Sequence, residues 1–354
     1  MLIPCSRIFI ILGTACNLSC RYCIQHDIKN TEQSAVISPE LIPWLEKEAE
    51  VSKNLHITFY GGEPLLYFKA IQSIVNHVHG DVTFGIITNG SLITDKIADF
   101  FNSHHFSVTV SWDGYGSKYT RLYDAMENMD NILKINDLCL SGVFSSKNYP
   151  LDLLDAFNDF NVEYWKTHKR FSQSNIDILF GDSDLYDVDL EKLKEQMGEI
   201  ISITDSWLHK GTTGNPTAAL WGFGFFMKYI RSMNQSRKSY YCQNGYNILN
   251  VDLAGNLYIC HNTRDIVGNI RGNEISYLNG VMARHPFEKE TADKCEKCHV
   301  KSLCGQRCLI TDKWCDLRKA FLTPLVDYIG GYKHENASLE RGSGFNLSAL
   351  QDGD

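Results

Sequence analysis

Near its start the chain reads Ile8 Phe9 Ile10 Ile11 Leu12, then Gly13 Thr14 Ala15, then Cys16 Asn17 Leu18 Ser19 Cys20 Arg21 Tyr22 Cys23. The apolar run reads as a buried strand, and the segment after it is a loop carrying three cysteines. Thiolate is the soft ligand that iron–sulfur clusters take. An irregular loop with CxxxCxxC spacing can turn three sulfurs onto three irons of a 4Fe–4S cube and leave the fourth iron without a protein ligand. The competing reading is a zinc site or three buried thiols, since cysteine pairs two residues apart also serve zinc and thiol chemistry.

Downstream, strand and helix patterns alternate. Ser38 is expected to N-cap a helix with Pro39 in its first turn and Leu41, Ile42, Leu45 and Ala49 on one face. Strand Leu55 to Tyr60 ends in Gly61 Gly62 Glu63 Pro64, where glycines let the backbone come close to a ligand. Helix Leu65 to His79 leads to strand Val82 to Thr88, closed by Asn89 and Gly90. Helix Asp95 to Ser103 leads to strand Ser107 to Ser111, and helix Leu122 to Ile135 to strand Leu138 to Ser145. After helix Leu151 to Phe160 a sixth strand is expected around Val162 to Trp165, with another apolar run at Ile176 to Phe180. This alternation predicts βαβ units and a parallel sheet, with ligands at the C-terminal strand ends.

The cysteine loop, with Gly61 to Glu63 following at the end of the second strand, resembles the radical S-adenosylmethionine (SAM) family. The resemblance implies an α/β fold, a partial (β/α)6 TIM-like barrel. It also implies a 4Fe–4S cluster on Cys16, Cys20 and Cys23 whose open iron is chelated by SAM. In that family one electron cleaves SAM to methionine and a 5′-deoxyadenosyl radical that abstracts hydrogen from an unactivated carbon, the cofactor carrying the chemistry. By the same resemblance Gly61, Gly62 and Glu63 hold the SAM amino group, Ser111 touches SAM, and Arg121 pairs with its carboxylate, a role suited to guanidinium. Asn89 lies at a strand end among them, and Tyr22 and Val143 match positions that flank the adenine. For Arg121 the plain alternative is a solvated residue at a helix start, and for Tyr22 and Val143 it is core.

Beyond Asp187 come a long amphipathic helix, Asp189 to Leu208, and an aromatic-rich one, Thr217 to Met233. Seven further cysteines follow: Cys242, Cys260, Cys295, Cys298, Cys304, Cys308 and Cys315. The stretches Tyr246 to Asp252 and Leu257 to His261 flank Gly255 Asn256 as a hairpin. The whole set is similar to a SPASM domain, a small cysteine-rich α+β unit. That likeness implies two auxiliary 4Fe–4S clusters, the first on Cys242, Cys260 and Cys308, the second on Cys295, Cys298, Cys304 and Cys315. No cysteine lies between Cys242 and Cys260. The first auxiliary cluster is therefore expected either to have an open iron or to take a non-cysteine ligand. A tetrahedral zinc site on the four thiolates of Cys295, Cys298, Cys304 and Cys308 is the alternative. Cys5 and Cys139 read as small buried hydrophobes.

These divisions give a barrel over 1–181, a helical linker over 182–236, a SPASM domain over 237–330 and a poorly ordered tail over 331–354. With 34 Lys plus Arg against 42 Asp plus Glu, a net charge of −8 speaks against a nucleic-acid partner. No signal-peptide pattern and no apolar run of about 18 residues is present, so a cytoplasmic chain outside the membrane is expected, where cysteines serve metals rather than disulfides.

The resemblance implies a peptide maturase of the type found in biosynthesis of ribosomally made, modified peptides. Hydrogen abstraction would lead to a thioether, ether or carbon–carbon cross-link, or to a related modification such as desaturation. The expected partners are a peptide or protein substrate and an external one-electron reductant of flavodoxin or ferredoxin type. With the first strand near residue 7, leader recognition falls to a separate leader-binding protein or to the SPASM surface, or is not needed. Alternatives are dehydrogenation of the anaerobic sulfatase-maturing kind, a small-molecule dehydrogenase of the same chemistry, and a non-catalytic iron–sulfur or zinc scaffold. In the sulfatase-maturing branch an aspartate base follows the GxxxxC cysteine, and here that position is His261.

Overall fold

The computed structural model describes residues 2–25, 36–178, 184–234, 244–245, 247–263, 265–284, 297–304 and 315–339. Outside these lie Cys242, Cys295 and Cys308, the end of the apolar run at 179–180, and residues 340–354 of the expected tail.

Within these residues the chain runs β1 Arg7–Ile11, α1 Leu41–Val51, β2 Leu55–Tyr60, α2 Phe68–His77, β3 Val82–Thr88, α3 Asp95–Ser103 and β4 Ser107–Ser111. Two single turns, α4 Ser117–Thr120 and α5 Met129–Ile132, precede β5 Asp137–Phe144, α6 Pro150–His168 and β6 Gln173–Ile178. Helices α7 Leu190–Lys210 and α8 Pro216–Asn234 follow, then β7 Ile248–Asp252, β8 Asn256–Tyr258, β9 Ile266–Asn269 and α9 Glu274–Arg284. A last helix spans Cys315–Leu339 and so continues past Gly330, where the tail was expected to begin.

All the strands join one sheet in the order β6-β5-β4-β3-β2-β1-β7-β8-β9. The first seven in that order are mutually parallel, and β8 and β9 add antiparallel. This is the expected α/β fold, a partial barrel with a C-terminal addition. The join is closer than two separate units would give. β7, the first strand of the expected hairpin, lies beside β1 with Arg7 opposite Ile248 and Ile11 opposite Asp252. Just below, the Ser6 amide donates to Asn247 Oδ1 at 2.9 Å.

Three elements differ from expectation. The sixth strand is Gln173–Ile178, and Val162 to Trp165 belong to α6. In α6 the buried positions Leu153, Leu154, Phe157, Phe160, Asn161 and Tyr164 recur at helical spacing, while Val162 and Trp165 are exposed. Tyr164 also donates to the carbonyls of Ile135 and Asn136 at 2.9 and 2.7 Å, tying that turn to the loop before β5. The helix expected over Leu122 to Ile135 is instead broken into turns. Leu122 has a left-handed φ of 59°, and the Asn128 amide donates to the carbonyls of Gly90 and Ile93 rather than pointing to solvent. Finally, α1 starts at Leu41, not Pro39. The Ser38 carbonyl accepts from Leu41 N, and Pro43 sits in the first turn, where its missing N–H costs nothing.

The core is a continuous apolar layer between sheet and helices, with Ile8, Ile10, Ile57 and Phe59 of the central strands fully buried. Among the described residues no helix is long and apolar enough to cross a membrane.

Candidate functional site

The CxxxCxxC loop leaves the C-terminal end of β1 and is fastened to the same ends of β2, β3 and β4. At β2 the fastening is backbone to backbone. Gly62 N–H donates to the Gly13 carbonyl at 2.9 Å and Glu63 N–H to that of Ala15 at 2.8 Å. A Cβ on Gly62 would stand 2.3 Å from the Ala15 carbonyl oxygen and 2.5 Å from that of Thr14, so only glycine permits this approach. Tyr67, which the sequence reading passed over, accepts from Ala15 N–H at 3.2 Å.

Glu63 has no exposed surface. Its carboxylate accepts from Leu65 N–H at 3.0 Å, Thr88 Oγ1 at 2.7 Å and Asn89 N–H at 2.8 Å. Burial pushes its pKa up, and these three donors oppose the shift. Glu63 therefore joins the ends of β2 and β3. Asn89 carries the link onward, donating to Asn17 Oδ1 at 2.9 Å and accepting from Ser91 N–H and Oγ. Asn17, inside the cysteine motif, donates back to Ser91 Oγ at 2.8 Å.

The third fastening centres on Asp113, also with no exposed surface. Its Oδ2 accepts from Tyr22 Oη at 2.6 Å and Thr120 Oγ1 at 2.7 Å, and its Oδ1 from Val143 N–H at 3.0 Å. Arg121 Nη2 lies 3.1 Å from Oδ1, and its guanidinium sits over the Tyr22 ring, 5.4 Å from the centroid. Burial works against the charge on Arg121, but Asp113, with Tyr22 and Cys20 nearby, outweighs it and holds the guanidinium firmly protonated. The Tyr22 phenol is driven well above its ordinary pKa, chiefly by burial. Arg121 Nε is buried and has no hydrogen-bond partner among the described residues. A buried donor left over in this way can take an acceptor from a bound ligand.

Cys16, Cys20 and Cys23 are all partly exposed. Burial pushes the Cys20 thiol up while Arg121 draws it down, and Cys16 is near enough to add to the push. Leu18 N–H donates to Cys16 Sγ at 3.4 Å. Among the described residues no three His, Cys, Asp or Glu side chains converge on one metal ion. A cube held by three separate irons needs sulfurs spread around it, not gathered on one point. Ser111 ends β4, opposite Ser141 of β5.

On the β7 side of β1, Cys260 is buried just beyond β8 and receives N–H donors from Asn262 and from the Asn244 side chain at 3.5 and 3.7 Å. His261 stacks on Phe9 of β1 at 4.1 Å and meets Tyr60 edge-on at 4.8 Å. Burial, helped by Arg7, pushes its pKa down to about 4, so the imidazole is neutral near pH 7. Tyr60 donates to Asn262 Oδ1 at 2.6 Å. Its phenol pKa is raised by burial first and then by the nearby Cys23 and Cys260. Cys298, Cys304 and Cys315 are partly exposed, Cys5 is buried, and Cys139 is partly exposed within β5. A cavity of about 1000 Å³ opens along β6, with Asp177 on its wall.

Residues 10–151 match the family model described as the radical SAM superfamily. The radical SAM cyclopropyl synthase TigE of Paramaledivibacter caminithermalis is 22% identical over 90% of this chain and 73% of its own. The cysteine-type anaerobic sulfatase-maturating enzyme of Clostridium perfringens is 22% identical over 86% of this chain and 89% of its own. Among solved structures, native anSMEcpe with bound AdoMet superposes with a TM-score of 0.65 at 17% identity, covering 93% of this chain and all of that one. Streptococcus suis SuiB bound to precursor peptide SuiA gives 0.60 at 15% identity over 86% of this chain and 72% of that one.

Proposed function

Residues 10–151 are a radical SAM domain, and from that premise we propose that this enzyme modifies a peptide by SAM-dependent hydrogen abstraction, forming an oxidative cross-link. The observation that carries the reading is the clamped cysteine loop together with the buried Nε of Arg121 beside it, unpartnered among the described residues. The donor set fits the cofactors the family implies. Cys16, Cys20 and Cys23 would hold a 4Fe–4S cluster, and the Leu18 amide already points at one of these sulfurs. Arg121 would receive the SAM carboxylate on a guanidinium whose other side is fixed by Asp113. Ser111, Asn89, Tyr22 and the backbone of Gly61 to Glu63 complete the surroundings, with the Glu63 carboxylate acting as a brace between strands.

When bound, the cluster and SAM supply the 5′-deoxyadenosyl radical. The chain's own part is to hold Arg121 charged, keep Tyr22 neutral and packed, and fix the loop against three strand ends, so that the substrate carbon is met in one geometry.

Two auxiliary clusters are proposed in the C-terminal region, the first on Cys242, Cys260 and Cys308, the second on Cys295, Cys298, Cys304 and Cys315. The two N–H donors at Cys260 Sγ suit a ligating thiolate. SuiB, which shares the fold, is bound to a precursor peptide, and this supports a peptide as substrate. The likeness to the sulfatase-maturating enzymes supports the rival reading of side-chain dehydrogenation. His261 stands where that branch has its aspartate base, and this change of residue favours the cross-link.

The test is iron, sulfide and zinc content after anaerobic reconstitution, for the wild type and for the triple variant Cys16→Ala, Cys20→Ala, Cys23→Ala. About twelve irons falling to about eight, with no zinc, supports one SAM cluster and two auxiliary clusters. About four falling to none, with zinc retained, removes the main support for a peptide maturase.

A further inference from the structure

We propose that β6 is the docking strand for an extended, acidic stretch of the substrate, which adds to its edge inside the cavity. This rests on the peptide-modifying reading above. Among the described residues β6 ends the sheet and pairs with β5 alone. All six of its residues line the cavity. A bare edge invites pairing with another chain, and proteins usually blunt it with Pro, Lys or a bulge. The strand Gln173 Ser174 Asn175 Ile176 Asp177 Ile178 carries no Pro or Lys and pairs with β5 in unbroken register. At about 3.3 Å per residue it offers roughly 20 Å of ladder.

The opposite wall gives an added strand its side-chain contacts. Trp221 and Phe225 of α8 and Phe321 of the last helix line the cavity, with ring centroids 5.1 to 6.2 Å apart. Charge gives the occupant its sign. Lys169, Arg170, Lys228 and Arg318 line the cavity, against Asp177 as the single carboxylate among the described lining residues. In a chain of net charge −8 this is a local reversal, and it would draw in carboxylate side chains. β6 runs parallel to β1–β5, so its C-terminal end lies on the side of the sheet from which the cysteine loop leaves β1. Asp177 accepts from Asn175 at 2.9 Å and Ser141 at 3.3 Å, and Arg121 is near enough to act on it electrostatically. A peptide laid along β6 thus runs toward the reacting end of the barrel, as β-strand addition would require.

The test uses the full chain, reconstituted anaerobically, and three capped, fluorescein-labelled octapeptides read by anisotropy. One alternates Glu and Val, one alternates Lys and Val, and one is the Glu–Val peptide with every second amide N-methylated. The expected result is binding of the Glu–Val peptide at least about tenfold tighter than of either other, weakening with salt. Lys228→Glu with Arg318→Glu should shift the preference to the Lys–Val peptide. Equal affinity for all three peptides overturns the proposal in the wild-type chain alone, whatever the fate of the variants. An unchanged preference in a folded variant overturns it as well. SAM cleavage under reducing conditions is read in parallel. Cleavage without the peptide preference sinks the docking strand and leaves the enzyme reading, and peptide preference without cleavage does the reverse.

Discussion

Tyr22 Oη donates a 2.6 Å hydrogen bond to Asp113 Oδ2, so a residue inside the cysteine motif is bound to a carboxylate just past the tip of β4. The same carboxylate neutralises Arg121, whose side chain is only 10% exposed. Asp113→Asn leaves that guanidinium buried without its counter-charge, which should cost about 3–5 kcal/mol in urea unfolding of the cluster-free protein. Tyr22→Phe removes one bond to a charged group and should cost about 1–3 kcal/mol.

Arg121→Lys keeps the positive charge and loses the planar fork and the buried Nε. SAM binding to the reconstituted protein, followed by calorimetry, should weaken about tenfold or more, the equivalent of one charge-assisted hydrogen bond. The unfolding midpoint should fall less than for Arg121→Met. Unchanged SAM affinity would remove Arg121 from the proposed cofactor site.

Gly62→Ala drives a Cβ into the carbonyls of Thr14 and Ala15, which are backbone and cannot swing aside. The loop must shift, at a cost of about 1–3 kcal/mol. Iron content should drop by the share of one cluster, while the far-UV circular dichroism stays that of the wild type. Gly198→Ala, where a Cβ meets nothing within 4 Å, is the control.

Glu48 offers a pH test away from the site. It is wholly buried, its carboxylate accepts from Ile3 N–H at 2.9 Å, and burial pushes its pKa up to about 7 from 4.5. The folded chain holds this proton more tightly than the unfolded one, so its contribution favours folding most below about pH 4.5 and is lost as pH rises toward 7. At about 1.4 kcal/mol per pKa unit the loss reaches roughly 3.5 kcal/mol at most. Glu48→Gln should flatten the difference between urea unfolding at pH 5 and at pH 8.

Strand and helix alternation made the parallel sheet legible, because the sheet's buried strands are apolar runs and its surface helices are amphipathic. Val162 to Trp165 misled for the same reason. A short apolar run looks alike in a strand and on a long helix, and only the buried partners of Tyr164 and Asn161 distinguish them. At the site, the cysteines and glycines announced themselves by spacing. Asp113 stood in view at a strand tip, yet that it gathers Tyr22, Thr120, Arg121 and Val143 depends on contacts across four segments. Asn17 and Ser91 gave no signal beyond being polar. Glu63 did give one, as a carboxylate at a strand end, but its sequence does not reveal that protein donors satisfy it.

The pairing of Arg7 with both His56 and Ile248 bears on how the chain acquires its structure. One neighbour of β1 is made early in synthesis and the other late, so a nascent chain carries its most apolar strand with an open flank for most of the time it is being translated. Contacts of such high order form slowly, and a bare apolar flank is prone to aggregate meanwhile. Folding of the N-terminal half is therefore tied to arrival of the hairpin. A chain cut before residue 248 should be found with chaperones or in inclusion bodies rather than as a smaller, working barrel.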